Sequence, residues 1–321
     1  GDAYYENELI ERSITEKLGT RFLNGKEISA KDLMDNAVEE AKKNGLTVGQ
    51  PLTKEQIAKL DKDIVWYEYQ EVDGIQVLAP KVYLSQNTIK NLNTDSRSRI
   101  TGLENTYVRT GNLENAGLIG GYGNTYVEAK EVNNRTLSNQ LAEIRGNKTT
   151  IIAQNNINNI GAKISGNESL NLVAIDGDIL NKSTVEKIEF NNGEFDRSKF
   201  TKIDSVGEIV SNGTLNMLTN NYTSIGAITK NVNINVANDI NIKSQEVSGE
   251  QKFGKDDSQY NYYGFERNIG SVVKAENLNT TASNLNISGS AVTTKRANLN
   301  VDKLNIESKV DKEDEIKKII I

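Results

Sequence analysis

Apolar and polar residues alternate along this chain in two rhythms. Before residue 85 the rhythm is helical at first. Ile10, Ile14 and Leu18 stand at i, i+4 and i+8, which predicts a helix over residues 4–22 with Gly19 as a stop signal. A second helix is predicted from Ser29, whose hydroxyl can cap the amide near Asp32. Leu33, Met34, Ala37, Val38 and Ala41 form its expected buried face, and Asn44-Gly45 ends it. Thr53 and Gln56 have capping-box spacing, which predicts a third, short helix with Ile57 and Leu60 inward. The period then changes to two. Ile64 to Val72 and Ile75 to Leu84 read as strands, joined by the hairpin signal Asp73-Gly74.

From residue 85 onward a repeat with a period of roughly 20 replaces these elements, within the range of solenoid repeats. Asn105-Thr106-Tyr107-Val108 recurs at Asn124-Thr125-Tyr126-Val127, and matching starts follow at Asn147 and Asn167. Each copy opens on Asn, alternates apolar residues, turns, and begins another short strand. Such a period without helices marks a solenoid. A leucine-rich repeat would need Leu at fixed offsets and a helical segment per unit, whereas Ile, Val, Leu and Asn share the inward positions here. The fold class expected is therefore mainly β, a parallel β-helix (a solenoid of about 20-residue coils) with a small N-terminal α+β cap. One coil cannot bury its few inward side chains alone; stacked coils bury them above and below and pair every strand.

Composition places the boundary. Residues 1–80 contain four Asn and both prolines, Pro51 and Pro80, while residues 81–321 contain 38 Asn and no proline. Proline removes a ladder hydrogen bond, so its absence suits unbroken strand pairing. Two domains are expected: 1–84, a helical-plus-hairpin cap or junction, and 85–321, the β-helix. Asn at this density has two structural uses, at corners that need left-handed backbone and in side-chain amide ladders along the stack.

The chain has no Cys and no His, which excludes thiol nucleophiles, disulfides, His-based catalysis and most zinc sites. A net charge of −6 without a basic stripe argues against nucleic acid as partner. No run of 18 apolar residues exists. Neither catalytic residues, nor a metal, nor any cofactor is expected. Asp176-Gly177-Asp178 is the nearest thing to a carboxylate pair of the kind that polysaccharide-cleaving β-helices use. Asp178, however, has the same repeat offset as Asp239, which predicts a recurring corner residue. The reading as a carboxylate-dependent polysaccharide-cleaving enzyme is the alternative that this offset weighs against.

Two irregular stretches interrupt the repeat, near 183–208 and 249–268. The first holds Phe190, Phe195 and Phe200 around Asn192-Gly193; the second reads as a hairpin projecting from the solenoid. Insertions in a solenoid usually map to one face and often bind. Tyr260, Tyr262, Tyr263 and Phe265 are therefore the expected contact surface. Another aromatic group, Trp66, Tyr67 and Tyr69, is expected to pack the small helices onto the strands.

Four segments carry a family resemblance: GDAYYENELIERSITEKLGTRFL (1–23), LMDNAVEEAKKNGLTVGQPLT (33–53), QIAKLDKDIVWYE (56–68) and VLAPKVYLS (77–85). They resemble a region of filamentous-haemagglutinin-like exoproteins of two-partner secretion systems, including contact-dependent growth inhibition effectors. VNINVANDINIKSQEVSG (232–249) is similar to the haemagglutinin repeat itself, with Ala237-Asn238-Asp239-Ile240 where the family often has Gly-Arg-Asp-Ile. The resemblance implies a non-enzymatic right-handed parallel β-helix, secreted to the bacterial cell surface through an outer-membrane transporter partner. It implies an adhesin or a toxin-delivery stalk, with a host or bacterial cell-surface receptor or glycan as partner. It also implies that the remainder of a longer polypeptide lies at both ends, any toxin domain beyond residue 321.

Overall fold

The computed structural model describes residues 29–72, 74–92, 97–137 and 140–320, together with Ile10 and the two-residue strands Phe22–Leu23 and Lys26–Glu27. The helix predicted over 4–22 otherwise lies outside the described residues, as does Asp73. Two compact units divide the chain, residues 1–98 and residues 99–321.

In the first unit, helix α1 (Ala30–Asn44) starts where Ser29 Oγ accepts the Asp32 amide at 3.1 Å, and stops at Gly45, whose φ of 63° only glycine adopts cheaply. Helix α2 (Lys54–Ala58) opens on the Thr53–Gln56 capping box, and a third helix, α3 (Gln86–Leu92), follows the hairpin. Leu33 and Ala37 are buried as expected, but Val38 is 58 % exposed. Glu40 is buried in its place, because its carboxylate accepts the amides of Asp61 and Lys62 at 3.0 and 3.1 Å. Satisfied in this way, a carboxylate can take an inward position that apolar periodicity assigns elsewhere. The hairpin pairs Ile64–Val72 with Ile75–Tyr83. Trp66 packs with Leu52, Leu60 and Tyr83 and donates its indole N–H to Thr47 O, while Tyr69 is 56 % exposed over Gly49.

The second unit is a parallel β-solenoid. One register position runs through it: Arg99, Leu118, Glu143, Lys163, Glu208, Ile228, Val272 and Ala291 pair each with the next. Where nothing interrupts, one step spans a single sequence repeat, as from Glu143 to Lys163 or Glu208 to Ile228. Inside, Val127, Ile151, Leu172, Met217 and Ile234 stack in register on one wall, and Val132, Ile157, Ile179, Tyr222 and Ile240 on another. All ten are buried. Each such side chain contributes about 1.5–3 kcal/mol by leaving water. The Tyr222 hydroxyl stays polar in this core through a 2.6 Å bond with Thr229 Oγ1, and burial raises its pKa.

Asn supplies the polar counterpart of these apolar stacks. Asn115, Asn134, Asn159 and Asn181 form a buried amide ladder, each side-chain N–H donating to the next side-chain oxygen at 2.8, 3.0 and 3.0 Å. Asn134 also donates to Lys163 O and Asn181 to Ile228 O, so each amide ties its own coil to the turn beyond. Outside, Asn171, Asn216, Asn233 and Asn279 make a second rank. The corner use expected of Asn is almost unused: among the described non-glycine residues only Asn231 has positive φ. Gly161, Gly226 and Gly289 take left-handed corners instead, at φ 56°, 56° and 55°. Glycine does so at no steric cost, which leaves Asn for the ladders.

Candidate contact surface

Two hairpins leave the solenoid wall. One is Val185–Asn191 with Asp196–Ile203, turning at Asn192-Gly193; the other is Gln245–Asp256 with Gln259–Ile269. They do not project separately. Asp196–Ile203 pairs antiparallel with Gln245–Asp256, and Gln259–Ile269 pairs antiparallel with Lys312–Ile319. The result is one five-stranded lateral sheet, in order along the solenoid.

Strand alternation divides the four expected contact residues between its two faces. Tyr260 and Tyr262 lie on one face, Tyr263 and Phe265 on the other, so they form two half-exposed patches rather than one.

On the first face Arg197 donates to Glu250 Oε1 at 2.8 Å, and the Tyr262 hydroxyl donates to Glu250 Oε2 at 3.3 Å. The Arg197 bond holds the Glu250 carboxyl below its ordinary value; burial, then the Glu250 charge, raises the Tyr262 hydroxyl. Lys252 Nζ sits 4.7 Å from the Phe195 ring centre and 4.8 Å from that of Tyr260. A cleft of about 630 Å³ opens beside this network, lined by Lys187, Lys199, Tyr262, Gly264, Lys312 and Asp314 among others.

On the opposite face Phe200, Gly249 and Phe265 stand in one cross-strand row. A Cβ on Gly249 would lie 2.4 Å from the Phe200 Cβ, so the two rings close over a position that must stay bare. Tyr263 lies 5.9 Å from Phe265, centre to centre, and its hydroxyl bonds Glu313, which raises its pKa. Arg267 donates to Tyr263 and lies 4.9 Å from the Phe265 ring centre.

The carboxylates weighed from sequence have other partners. Asp178, Asn221, Asp239 and Asn284 form one rank on the solenoid, with Asn221 donating to Asp178 at 2.9 Å and Asn284 to Asp239 at 2.7 Å. Asp176 accepts from Gln154. Among the described residues no group of three or more acidic side chains converges as a metal site would require. Sequence reading missed the strand Lys312–Ile319 and the pairing between hairpins. Antiparallel partners far apart in the chain leave no local signal, and Glu313 to Ile319 has no strand alternation, its apolar residues Ile316 and Ile319 standing three apart.

Residues 252–319 match the family described as Hemagglutinin repeat. Over 217 residues the chain is 31 % identical to 16S rRNA endonuclease CdiA of Enterobacter cloacae, covering 64 % of this chain and 6 % of that protein. Over 263 residues it is 28 % identical to tRNA nuclease CdiA of Escherichia coli, covering 78 % of this chain and 8 % of that protein. A further relative is protein adenylyltransferase and cysteine protease IbpA of Histophilus somni, 33 % identical over 117 residues, 35 % of this chain and 3 % of that protein. The chain thus spans less than a tenth of each relative's length. No solved structure matches it. Residues 252–319 thus match the haemagglutinin repeat, within a chain that is similar to CdiA proteins over more than half its length.

Proposed function

We propose that this chain is a non-enzymatic structural and adhesive segment of a large exoprotein: a β-helical stalk exported through an outer-membrane transporter partner to the bacterial cell surface. The observation that carries the reading is the register unbroken from Arg99 to Ala291, which builds length from stacked coils. The likeness to CdiA proteins supports export, and the nuclease activities in their names belong to those proteins. Within the stalk, the lateral sheet with Tyr260, Tyr262, Tyr263 and Phe265 is the contact surface for a cell-surface receptor or glycan, and residues 1–84 are the cap or junction. The test is binding of the purified chain, with and without residues 250–266, to host epithelial cells and to whole bacteria. Hairpin-dependent binding to host cells supports adhesion and selective binding to bacteria supports delivery; binding to neither removes the contact role and leaves the stalk.

A further inference from the structure

The coil is not the largest repeating unit of the solenoid. Along the register position, the intervals from Lys163 to Ile228, from Glu208 to Val272 and from Ile228 to Ala291 are nearly equal, and each holds two coil steps and one hairpin. The corners alternate in the same way. Gly161, Gly226 and Gly289, each left-handed, turn the chain directly into the next coil. At the corners between them, after Lys182, Lys243 and Glu307, the chain instead runs out into Val185–Asn191, Gln245–Asp256 and Lys312–Ile319. Residues 252–319, the span that matches the haemagglutinin repeat, begin inside Gln245–Asp256, take in Gln259–Ile269 and the coils Val272–Ser288 and Ala291–Glu307, and end in Lys312–Ile319.

One physical constraint accounts for this period. Parallel coils stack at the strand-pairing distance, about 4.8 Å, and strands of the lateral sheet lie about 4.8 Å apart as well. A hairpin is two strands wide, so it fills the height of two coils and no other number. One hairpin per two coils therefore gives an antiparallel sheet with neither gap nor collision. We infer that the solenoid from Lys163 onward is built from a module of two coils and one hairpin, and that each hairpin edge is a docking surface whose partner is the hairpin of the equivalent module two coils away. The junctions show the match. Lys199 lies opposite Glu250, with Arg197 bonded to Glu250, at the first; at the second Glu266 lies opposite Lys312, whose ammonium is 3.9 Å from that carboxylate.

Two deletions in the full chain separate this from a solenoid of independent coils. Removing residues 208–271 takes out one module and leaves Asp196–Ile203 facing Lys312–Ile319 in phase. Removing residues 208–227 takes out one coil and leaves the two hairpins one coil apart, so that they compete for the same space. Both deletions take Glu208 from beside Lys163, so that loss is common to them. Amide hydrogen exchange is the readout. The expected result is native-like protection of residues 196–203 and 312–319 after the longer deletion, and at least a tenfold loss of protection in 196–203 after the shorter one. Equal protection in both, loss in both, or loss in the longer deletion alone would overturn the module.

Discussion

The solenoid wall and the lateral sheet are both β-structure from one chain, at one strand spacing, yet they are held together differently. In the solenoid every second side chain enters a closed interior, and stacks such as Ile151, Leu172 and Met217 are wholly buried. In the lateral sheet burial is partial: Phe190 is 51 % and Phe253 40 % exposed, Val247 at the base of its strand is buried, and ion pairs and ring contacts take the place of a core. A closed stack derives its stability from burial and tolerates any apolar residue of suitable volume. An open sheet depends on particular cross-strand pairs, each of modest worth. The solenoid is thus the frame, and the lateral sheet the part whose side chains are freer to vary.

A truncated side chain in each region separates the two most strongly. Leu172→Ala, in the stack, is expected to cost about 2–5 kcal/mol, whereas Phe253→Ala, on the sheet, should cost under about 1 kcal/mol. Thermal or denaturant unfolding of the two variants measures both. Equal losses would mean that the sheet has a core of its own.

Next in size is the buried amide ladder. Asn159→Ala leaves Asn134 without its side-chain acceptor and Asn181 without its side-chain donor, in a site with no exposure. Each orphaned group costs about 1–3 kcal/mol. The corresponding change in the outer rank, Asn216→Ala, lies in water and should cost a few tenths of a kcal/mol at most, about the scale of other surface substitutions. A ladder whose inner and outer members cost the same would not depend on burial.

Smaller again is Gly249→Val. Its new side chain meets Phe200 and Phe265, so the sheet must open locally while the solenoid is untouched. The expected result is faster amide exchange in residues 196–203 and 259–269 with an unchanged unfolding midpoint. A lowered midpoint would show that the sheet holds the coils together.

How far the sequence could be read follows from the same contrast. Local rules were sufficient where structure is local: the caps at Ser29 and Thr53, the strand periods, the Asp178 and Asp239 corner rank, and the single-coil repeat that Asn105 and Asn124 open. They were insufficient where a partner far along the chain decides. Nothing near Lys312 announces that it pairs with Glu266, and nothing in Tyr260 to Phe265 says which ring faces which side until the register is known. The exposed Val38 and buried Glu40 belong to the same class, because the amides of Asp61 and Lys62 that satisfy the carboxylate lie on another segment. The double period was legible in Gly161-Ala162 and Gly226-Ala227, two coils apart, but a search at the length of one coil passes over it.

The smallest expected effect is electrostatic, and it has a definite sign. Arg197 holds the Glu250 carboxyl below its ordinary value of 4.5, and the Ser258 hydroxyl and amide do the same for Asp256 at the hairpin tip. A carboxyl with a depressed folded pKa adds stability that is fully present above the unfolded value and is lost as pH falls through the folded one. The lateral sheet should therefore loosen in acid, below the usual carboxylate range, while the apolar stacks of the solenoid do not respond through this route. The pair is partly exposed, so its worth is only about 0.2–1 kcal/mol. Hydrogen exchange of residues 245–269 from neutral to acid pH, relative to residues 163–174, measures it once intrinsic exchange rates are divided out. Glu250→Gln should flatten most of the difference, because its amide has no proton to gain in this range. A difference that persists unchanged in Glu250→Gln would place the acid response in other groups and leave the Arg197–Glu250 pair without a share in holding the hairpins together.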